Sequence, residues 1–374
     1  MDDSSFIPAE AYKYIYVVFL GIICLLSYSR LAPYTCQGLY SRSNQNDSSA
    51  TWLYIIIALF IGFRPISPAF SDMLGYATVY NHLELAERSE LGLWWIASFC
   101  KQLGFSANMW FAVVSFLYFG GFLLSARLLS KNNRFQFFLT ILVAFSTLTY
   151  ATNGIRNGLG MSLLTLGISM FLTLNGKWKY WSILLFVYAY LTHKSSALPL
   201  ICFFAAYYTV GLKYAMFFWA FSVVVSLAAG SQVSNIFLGL GFDDRLDNYL
   251  VADDYTGFSH AGFRFDFLLY SVMPIWLGYY AFIKKKVHDR IYEVLLTTYI
   301  LANAFWVMVI RAPFSDRFAY LSWFLYPIVI AYPLLKVDIW GYKQGRMARN
   351  ILLIHFAFTF FMDVVYYTII KTVL

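Results

Sequence analysis

"FQFFLTILVAFSTLTYATNGIRNGLGMSLLTLGISMFLTL", residues 135–174, decides how this chain is read. Two apolar runs, Phe135 to Tyr150 and Leu159 to Leu174, flank a short gap in which Arg156 sits among Asn153, Gly154, Asn157, Gly158 and Gly160. A helix that crosses a bilayer needs about 20 largely apolar residues, so each run has the makings of a span. A guanidinium in the gap either anchors the chain at the headgroups or holds an anion. The glycines let a backbone or a bulky headgroup come close, and the two asparagines offer further hydrogen bonds. If Arg156 precedes a helix start, the helix dipole adds attraction for an anion.

The whole chain has this character. Of 374 residues, 60% are hydrophobic, 21% aromatic and only 12% charged, against about 25% charged in a soluble domain. So little polar surface cannot cover a globule in water. The composition implies an all-α, polytopic integral membrane protein with one transmembrane domain over residues 1–374. Twelve spans are predicted, at 12–29, 51–63, 109–126, 135–151, 159–175, 178–192, 197–212, 214–230, 265–283, 291–310, 318–335 and 351–370. The fifth to eighth are joined by very short loops. The start, "MDDSSFIPAEAYK", is acidic and polar, unlike the basic start of a cleavable signal. Cys24, Cys36, Cys100 and Cys202 have no metal-ligand spacing, and neither a disulfide nor a zinc site is expected.

Basic residues in short loops set orientation. Arg127, Lys131 and Arg134 share a loop; Lys177 and Lys179, Lys213, Lys284 to Arg290, and Lys336 to Arg349 mark the alternate loops. With Arg30 and Arg42 these place 16 of the 27 Lys and Arg on the cytoplasmic side, with only Asp47, Asp289, Glu293 and Asp338 of the 19 acidic residues. The net charge of +8 is thus a matter of topology and needs no nucleic-acid partner. Two long segments face outward. Within 64–108, Leu91, Trp94, Trp95, Phe99 and Leu103 recur at helical spacing and predict a helix over 91–103 lying in the membrane interface. Within 231–264, the acidic stretch "GFDDRLDNYLVADDY" suits a substrate-facing loop. Its Asp spacing lacks the alternation of a calcium loop, so no metal is expected.

Arg64, Arg156, Arg264, Arg311 and Arg317 fall at outward span ends, where the charge bias does not call for them, together with His193. Each has a plainer reading. An arginine at a span end snorkels to the headgroups. Arg264 and Arg317 have Asp266 and Asp316 as neighbours to pair with, a lone His is often structural, and Tyr76 and Tyr80 at i,i+4 suit packing as well as sugar stacking. The set on one face favours function, because ionisable groups at a membrane are costly. A planar guanidinium also gives bidentate bonds to phosphate or pyrophosphate.

"SDMLGYATVY", "GIRNGLGMSLLTLG", "HKSSALPL" and "DRFAYLSWF", following "GFR", are similar in order and spacing to the EpsG-like branch of the Wzy polysaccharide polymerases over about residues 50–335. The family's small-residue-plus-Asp element stands here as Ser71-Asp72. The resemblance implies a GT-C-like architecture in a bacterial cytoplasmic membrane, with the active site on the outer face. It implies transfer of a growing glycan from undecaprenyl pyrophosphate to a new repeat unit on the same carrier, without metal or cofactor, and with membrane lipids and a chain-length regulator as further partners. Arg156, Arg311 or Arg317 would then hold the pyrophosphate, with Asn153 and Asn157 beside it. Arg64 and Asp72 would shape the acceptor side, and Tyr76 and Tyr80 would line the glycan. His193 would be the general base, histidine being the side chain best suited to proton transfer near neutrality, with Asp72 its rival. A single-sugar transferase using a polyprenyl-phosphate donor would also rely on Asp72. A lipid-linked oligosaccharide flippase would carry more charge in mid-span or show repeat symmetry. A membrane acyltransferase has only His193 in its favour.

Overall fold

The computed structural model describes residues 7–41, 47–83, 91–238, 263–311 and 315–370. Every regular element among them is helical. Eight of the described helices are long and apolar enough to cross a membrane, and Asp47–Gly62 is a shorter apolar helix. The prediction of an all-α, multi-pass membrane protein is met; the count of twelve is not fixed by these lengths. The helices form two compact units, residues 1–196 with 330–374, and residues 197–329.

In the first unit, α1 (Ala11–Ser29), α2 (Cys36–Ser41) and α3 (Asp47–Gly62) are followed by α4 (Met73–Asn81), α5 (Leu91–Gln102) and α6 (Ala107–Leu129). Then come α7 (Arg134–Leu142), α8 (Thr147–Thr152), α9 (Ile155–Thr173) and α10 (Lys177–Thr192). The second unit holds α11 (Ala197–Tyr208), α12 (Leu212–Leu238), α13 (Phe265–Tyr279), α14 (Arg290–Met308) and α15 (Ser315–Trp323). α16 (Tyr326–Lys336) runs across the boundary into the first unit, which α17 (Gln344–Phe360) completes. The fifth to eighth predicted spans are therefore four separate helices, as read from the sequence. The predicted last span begins earlier, at Gln344, and ends in a π-helical turn over Phe361–Ile370.

The predicted continuous span over 135–151 is a correction. It is two helices, α7 and α8, broken at residues 143–146. A helix that stops leaves its last carbonyls without intrahelical partners, and in an apolar surrounding each needs another donor. The neighbours provide them. Tyr16 Oη donates to the Leu142 carbonyl at 2.7 Å, Thr147 Oγ1 to Ile141 at 2.6 Å, and His355 Nε2 bonds to the Thr140 carbonyl at 3.1 Å. A carbonyl only accepts, so His355 is the donor and carries its proton on Nε2. The predicted span 318–335 is present as one stretch long enough to cross, Arg317–Lys336, with a turn at residues 324–325 between α15 and α16.

The polar ends of the first unit sort as the loops alternate. Arg127 and Arg134 both reach Asp47 Oδ1, at 3.0 and 3.3 Å. Lys336 Nζ donates to the Leu129 carbonyl and Gly345 N to that of Tyr34. The start of α3, the end of α6, the start of α7 and the α16–α17 connection thus share one end.

The helix predicted over 91–103 is present as α5, but it has two apolar faces. Leu91, Trp95, Phe99 and Leu103 are exposed, while Leu93, Trp94, Ala97 and Cys100 are buried against α4 and α6. Trp94 thus belongs to the packed face and not to the membrane-facing stripe. Residues 84–90 of this segment and residues 239–262 of the other long one, with its acidic run, lie outside the described residues.

The orientation is testable at exposed positions on opposite ends of the first unit, Lys131 and Thr78. In a variant whose native cysteines, all buried, are replaced, Thr78→Cys is expected to react with a membrane-impermeant maleimide in intact cells. Lys131→Cys is expected to react only after permeabilisation, and the reverse pattern would invert the charge-based assignment.

Candidate active site

The site lies at the end of the first unit opposite its basic loops. Its central feature is the start of α9. Gly154 sits at φ 64°, ψ 35° and ends the extended Asn153. A Cβ in that left-handed conformation costs roughly 1–2 kcal/mol, which explains the glycine. The Gly154 carbonyl accepts the first helical bond, from Gly158 N at 3.0 Å. Ile155, Arg156 and Asn157 therefore form the first turn, where backbone N–H groups have no intrahelical partner and the helix dipole is positive. Arg156 thus opens a helix, the condition under which the dipole helps it hold an anion.

Arg156 is held in place by α4. Its Nε donates to Tyr76 Oη at 3.1 Å, and its guanidinium carbon lies 5.8 Å from the centre of the Tyr76 ring. Tyr76 leans on Trp94 at 6.4 Å between centroids, Trp94 stacks on Trp110 at 6.1 Å, and Trp110 on Tyr80 at 5.0 Å. Tyr76 is half-buried, so its ring both packs and borders the site. Tyr80 differs: it is 1% exposed and its hydroxyl donates to the Phe105 carbonyl. Its place is in the aromatic core behind the site, which corrects its expected contact with glycan.

Arg64 is also internal. It is 1% exposed, with its guanidinium carbon 5.3 Å from the centre of the Phe70 ring and 5.4 Å from that of Phe111. One terminal nitrogen donates to the Ile61 carbonyl at 2.7 Å and the other to that of Thr152 at 3.2 Å. Burial pulls its pKa down to about 10, so it stays protonated at neutral pH. The sequence reading places Arg64 on the acceptor side; the structure holds its side chain inside the first unit. It ties the end of α3 to the end of α8, one residue before the Asn153-Gly154 turn that sets Arg156.

His193 comes to the same helix through backbone contact. It caps α10, its N–H bonding the Ala189 carbonyl at 2.9 Å. A Cβ built on Gly160 would stand 3.3 Å from the Ala189 carbonyl oxygen and 3.5 Å from His193 Cβ, so the glycine permits this close approach. Gly160 follows Arg156 by four residues, one turn along the same face of α9, a rise of about 6 Å. His193 and Arg156 are both half-buried, and the His193 backbone meets α9 one turn beyond Arg156. α5 closes the other side, with Tyr188 Oη donating to the Gly92 carbonyl at 2.8 Å.

Asp72 precedes α4 and is exposed, and its side chain makes no capping bond. It stands one turn before Tyr76, whose N–H bonds the Asp72 carbonyl at 3.1 Å. Asn157 Nδ2 donates to Tyr150 Oη at 3.4 Å, and the amide oxygens of Asn153 and Asn157 are buried without a hydrogen-bond partner among the described residues. Arg311 and Arg317 belong to the second unit. There Arg311 Nε donates to the Ser226 carbonyl at 3.3 Å, Arg317 is exposed, and Arg264 makes a two-point pair with Asp266 at 2.9 and 2.6 Å.

The sequence reading passed over Thr152, Tyr188 and Lys101. Lys101 Nζ caps α4 through the carbonyls of Tyr80 and Asn81, at 3.2 and 3.0 Å. These contacts join residues distant in the chain through backbone carbonyls, which leave no mark on residue type. The lone cation Lys101 beside an otherwise apolar α5 was the one visible signal.

The model of the EpsG family matches residues 49–373, nearly the whole chain. The protein belongs to the EpsG family. It is thereby a polysaccharide-polymerase-like, glycosyltransferase-like membrane protein, and the match runs past the resembling segment through α17. Comparison with curated proteins and with solved structures finds no match.

Arg64 gives the sharpest test of this construction. Arg64→Met keeps bulk but leaves the Ile61 and Thr152 carbonyls without donors. It is expected to cost about 1–3 kcal/mol, read as a lower unfolding temperature in detergent. If stability is unchanged, Arg64 does not hold the turn.

Proposed function

We propose that this EpsG-family protein joins undecaprenyl-pyrophosphate-linked oligosaccharide repeat units on the outer face of the bacterial cytoplasmic membrane. The observation that carries the reading is the start of α9, where a guanidinium oriented by Tyr76 stands in the first turn and the end of α10, at His193, comes against the next turn at Gly160. This is the pairing that glycosyl transfer from a pyrophosphate requires. One group takes a proton from the acceptor and the other stabilises the charge on the departing phosphate.

In the reaction, the acceptor hydroxyl oxygen attacks C1 of the sugar at the reducing end of the growing chain. The bond from C1 to the pyrophosphate oxygen breaks as the new glycosidic bond forms. The hydroxyl proton passes to His193, and the electron pair of the broken bond leaves on undecaprenyl pyrophosphate. Arg156, with the N–H groups of the first turn of α9, receives that charge. Donors already aimed at developing charge need no reorganisation during the reaction, and for this reason such groups contribute strongly to catalysis. Tyr76 positions the guanidinium and offers a ring edge to the glycan. Asn153 and Asn157 flank the phosphate. Arg64 acts through the turn. Arg311 and Arg317 are the alternative holders of the pyrophosphate, and a chain-length regulator is a further partner in the membrane.

A second reading is favoured by Asp72, an exposed carboxylate not used as a cap, one turn before Tyr76. It is the rival base in the polymerase. It is also the acid–base group of a single-sugar transferase fed by a polyprenyl-phosphate sugar.

The test is product length in membranes supplied with lipid-linked repeat units. The wild type is expected to give a ladder; a single added sugar would favour the second reading, and no covalent change a flippase. Arg156→Lys keeps the charge but loses the planar fork. It is expected to insert normally and lose tenfold to more than a hundredfold in polymerisation, from ~1.5–3 kcal/mol for a hydrogen bond to a charged group. It should also hold undecaprenyl pyrophosphate more weakly. Wild-type activity in Arg156→Lys would make the residue a surface anchor. His193→Ala is expected to lose ~10²–10⁴-fold; a persistent ladder would pass the role of base to Asp72, with Asp72→Asn then the inactive variant.

A further inference from the structure

The second unit carries a cavity of about 680 Å³ at the end that bears its basic loops. The start of α12 provides Lys213 and Tyr214, the segment between α13 and α14 provides Phe282 and His288, and the first turn of α14 provides Arg290 and Glu293. We propose that this cavity binds the headgroup of an anionic phospholipid, whose acyl chains lie along the exposed face of α12. The proposal goes beyond the polymerase reading and stands without it.

Charge gives the first reason. Lys213, Lys284, Lys285, Lys286 and Arg290 gather in these two loops against Asp289 and Glu293. Both carboxylates are already engaged: Asp289 accepts from Tyr292 N at 2.8 Å as the cap of α14, and Glu293 pairs with Arg290 at 3.1 Å. Arg290 also donates to the Tyr207 carbonyl at 2.7 Å, tying α11 to α14. The lysines are exposed, as is His288. Basic pockets between membrane helices are where anionic headgroups settle.

Shape gives the second. The floor and wall are apolar, through Leu212, Phe282 and Val287, so the cavity suits an amphiphile better than a free phosphate. An apolar stripe starts at its rim. Tyr214, Phe217, Phe221 and Val224 recur at helical spacing and are 78%, 74%, 54% and 62% exposed. From Tyr214 to Val224 the helix rises about 15 Å, half of a hydrocarbon core of about 30 Å. A lipid with its phosphate at Lys213 would therefore run its chains down this stripe through one leaflet.

The test uses the full-length protein in detergent, with native mass spectrometry after addition of phosphatidylglycerol, cardiolipin or phosphatidylethanolamine. The wild type is expected to retain the two anionic lipids in preference to the zwitterionic one. Lys213→Ala with His288→Ala is expected to weaken that retention at least about fivefold, the loss typical of one cation near a charged headgroup. Neither side chain makes a bond on which the fold of the unit rests, and a melting curve of the variant checks that it is folded. Lys131→Ala, at the basic end of the first unit, should leave retention unchanged. Glycerol phosphate in excess should not displace the lipid. Equal retention by the double variant, equal retention of all three lipids, or displacement by glycerol phosphate would each overturn the proposal.

Discussion

A backbone carbonyl inside a bilayer has no water to turn to, and this constraint shapes the first unit. The chain breaks a helix in mid-span at residues 143–146, and so creates carbonyls that the helix itself cannot satisfy. Three side chains, from α1, α17 and the start of α8, settle them: Tyr16, His355 and Thr147. The break has a consequence for the site. α8 is free to leave the line of α7, and its last carbonyl-bearing residue, Thr152, arrives beside Arg64. The Asn153-Gly154 turn and the start of α9 follow directly. A histidine of α17 and a tyrosine of α1 thus support, through backbone alone, the helix start that presents Arg156.

The arginines show how one side chain is put to different uses by its surroundings. Arg127 and Arg134 share Asp47 at the basic end, partly exposed, where such pairs contribute little to stability. Arg64 is buried among two carbonyls and two rings, with no carboxylate among its described partners. A buried charge of that kind is tolerated because both terminal nitrogens are bonded and the rings present their negative faces, although Nε has no hydrogen-bond partner among the described residues. Arg156 is neither. Its Nε donates to a neutral hydroxyl, Tyr76 Oη, at 3.1 Å, and this bond orients the fork.

Much of this was legible in the sequence, for physical reasons that also mark the limit. Apolar runs and basic loops follow from the solvent on each side of the membrane, so the helical class and the alternation of ends could be read directly. The polar gap around Arg156 stood out between two apolar runs, with glycines that permit close approach. Helix breaks inside apolar runs could not be read. "LVAFSTLT" is as apolar as an unbroken span, and what ends α7 is the supply of outside donors from residues more than a hundred positions away. Arg64 and Arg156 look alike as span-end arginines, and only the surrounding rings and carbonyls separate them. Trp94 and Trp95 are adjacent and identical, yet one is buried and the other faces outward, because helical geometry places successive residues about 100° apart.

The proximity of His193 to Arg156 rests on a residue with no side chain at all. Helices α9 and α10 pack closely, and Gly160 lets the end of α10 come against α9 at the level of the site. A Cβ at 160 would meet His193 Cβ in ordinary contact at 3.5 Å and press on the Ala189 carbonyl at 3.3 Å, which would have to give by a few tenths of an ångström. The base therefore owes its placement to close helix packing, in the manner of small residues at membrane helix interfaces, while the guanidinium owes its own to a turn and a tyrosine. Two independent devices converge on one strip of one helix. Packing alone would bring helices together without regard to which polar groups meet. Here the contact point, the left-handed turn and the oriented fork fall within seven residues of sequence, Gly154 to Gly160, and that is why this short stretch, more than any single charge in the chain, carries the chemistry.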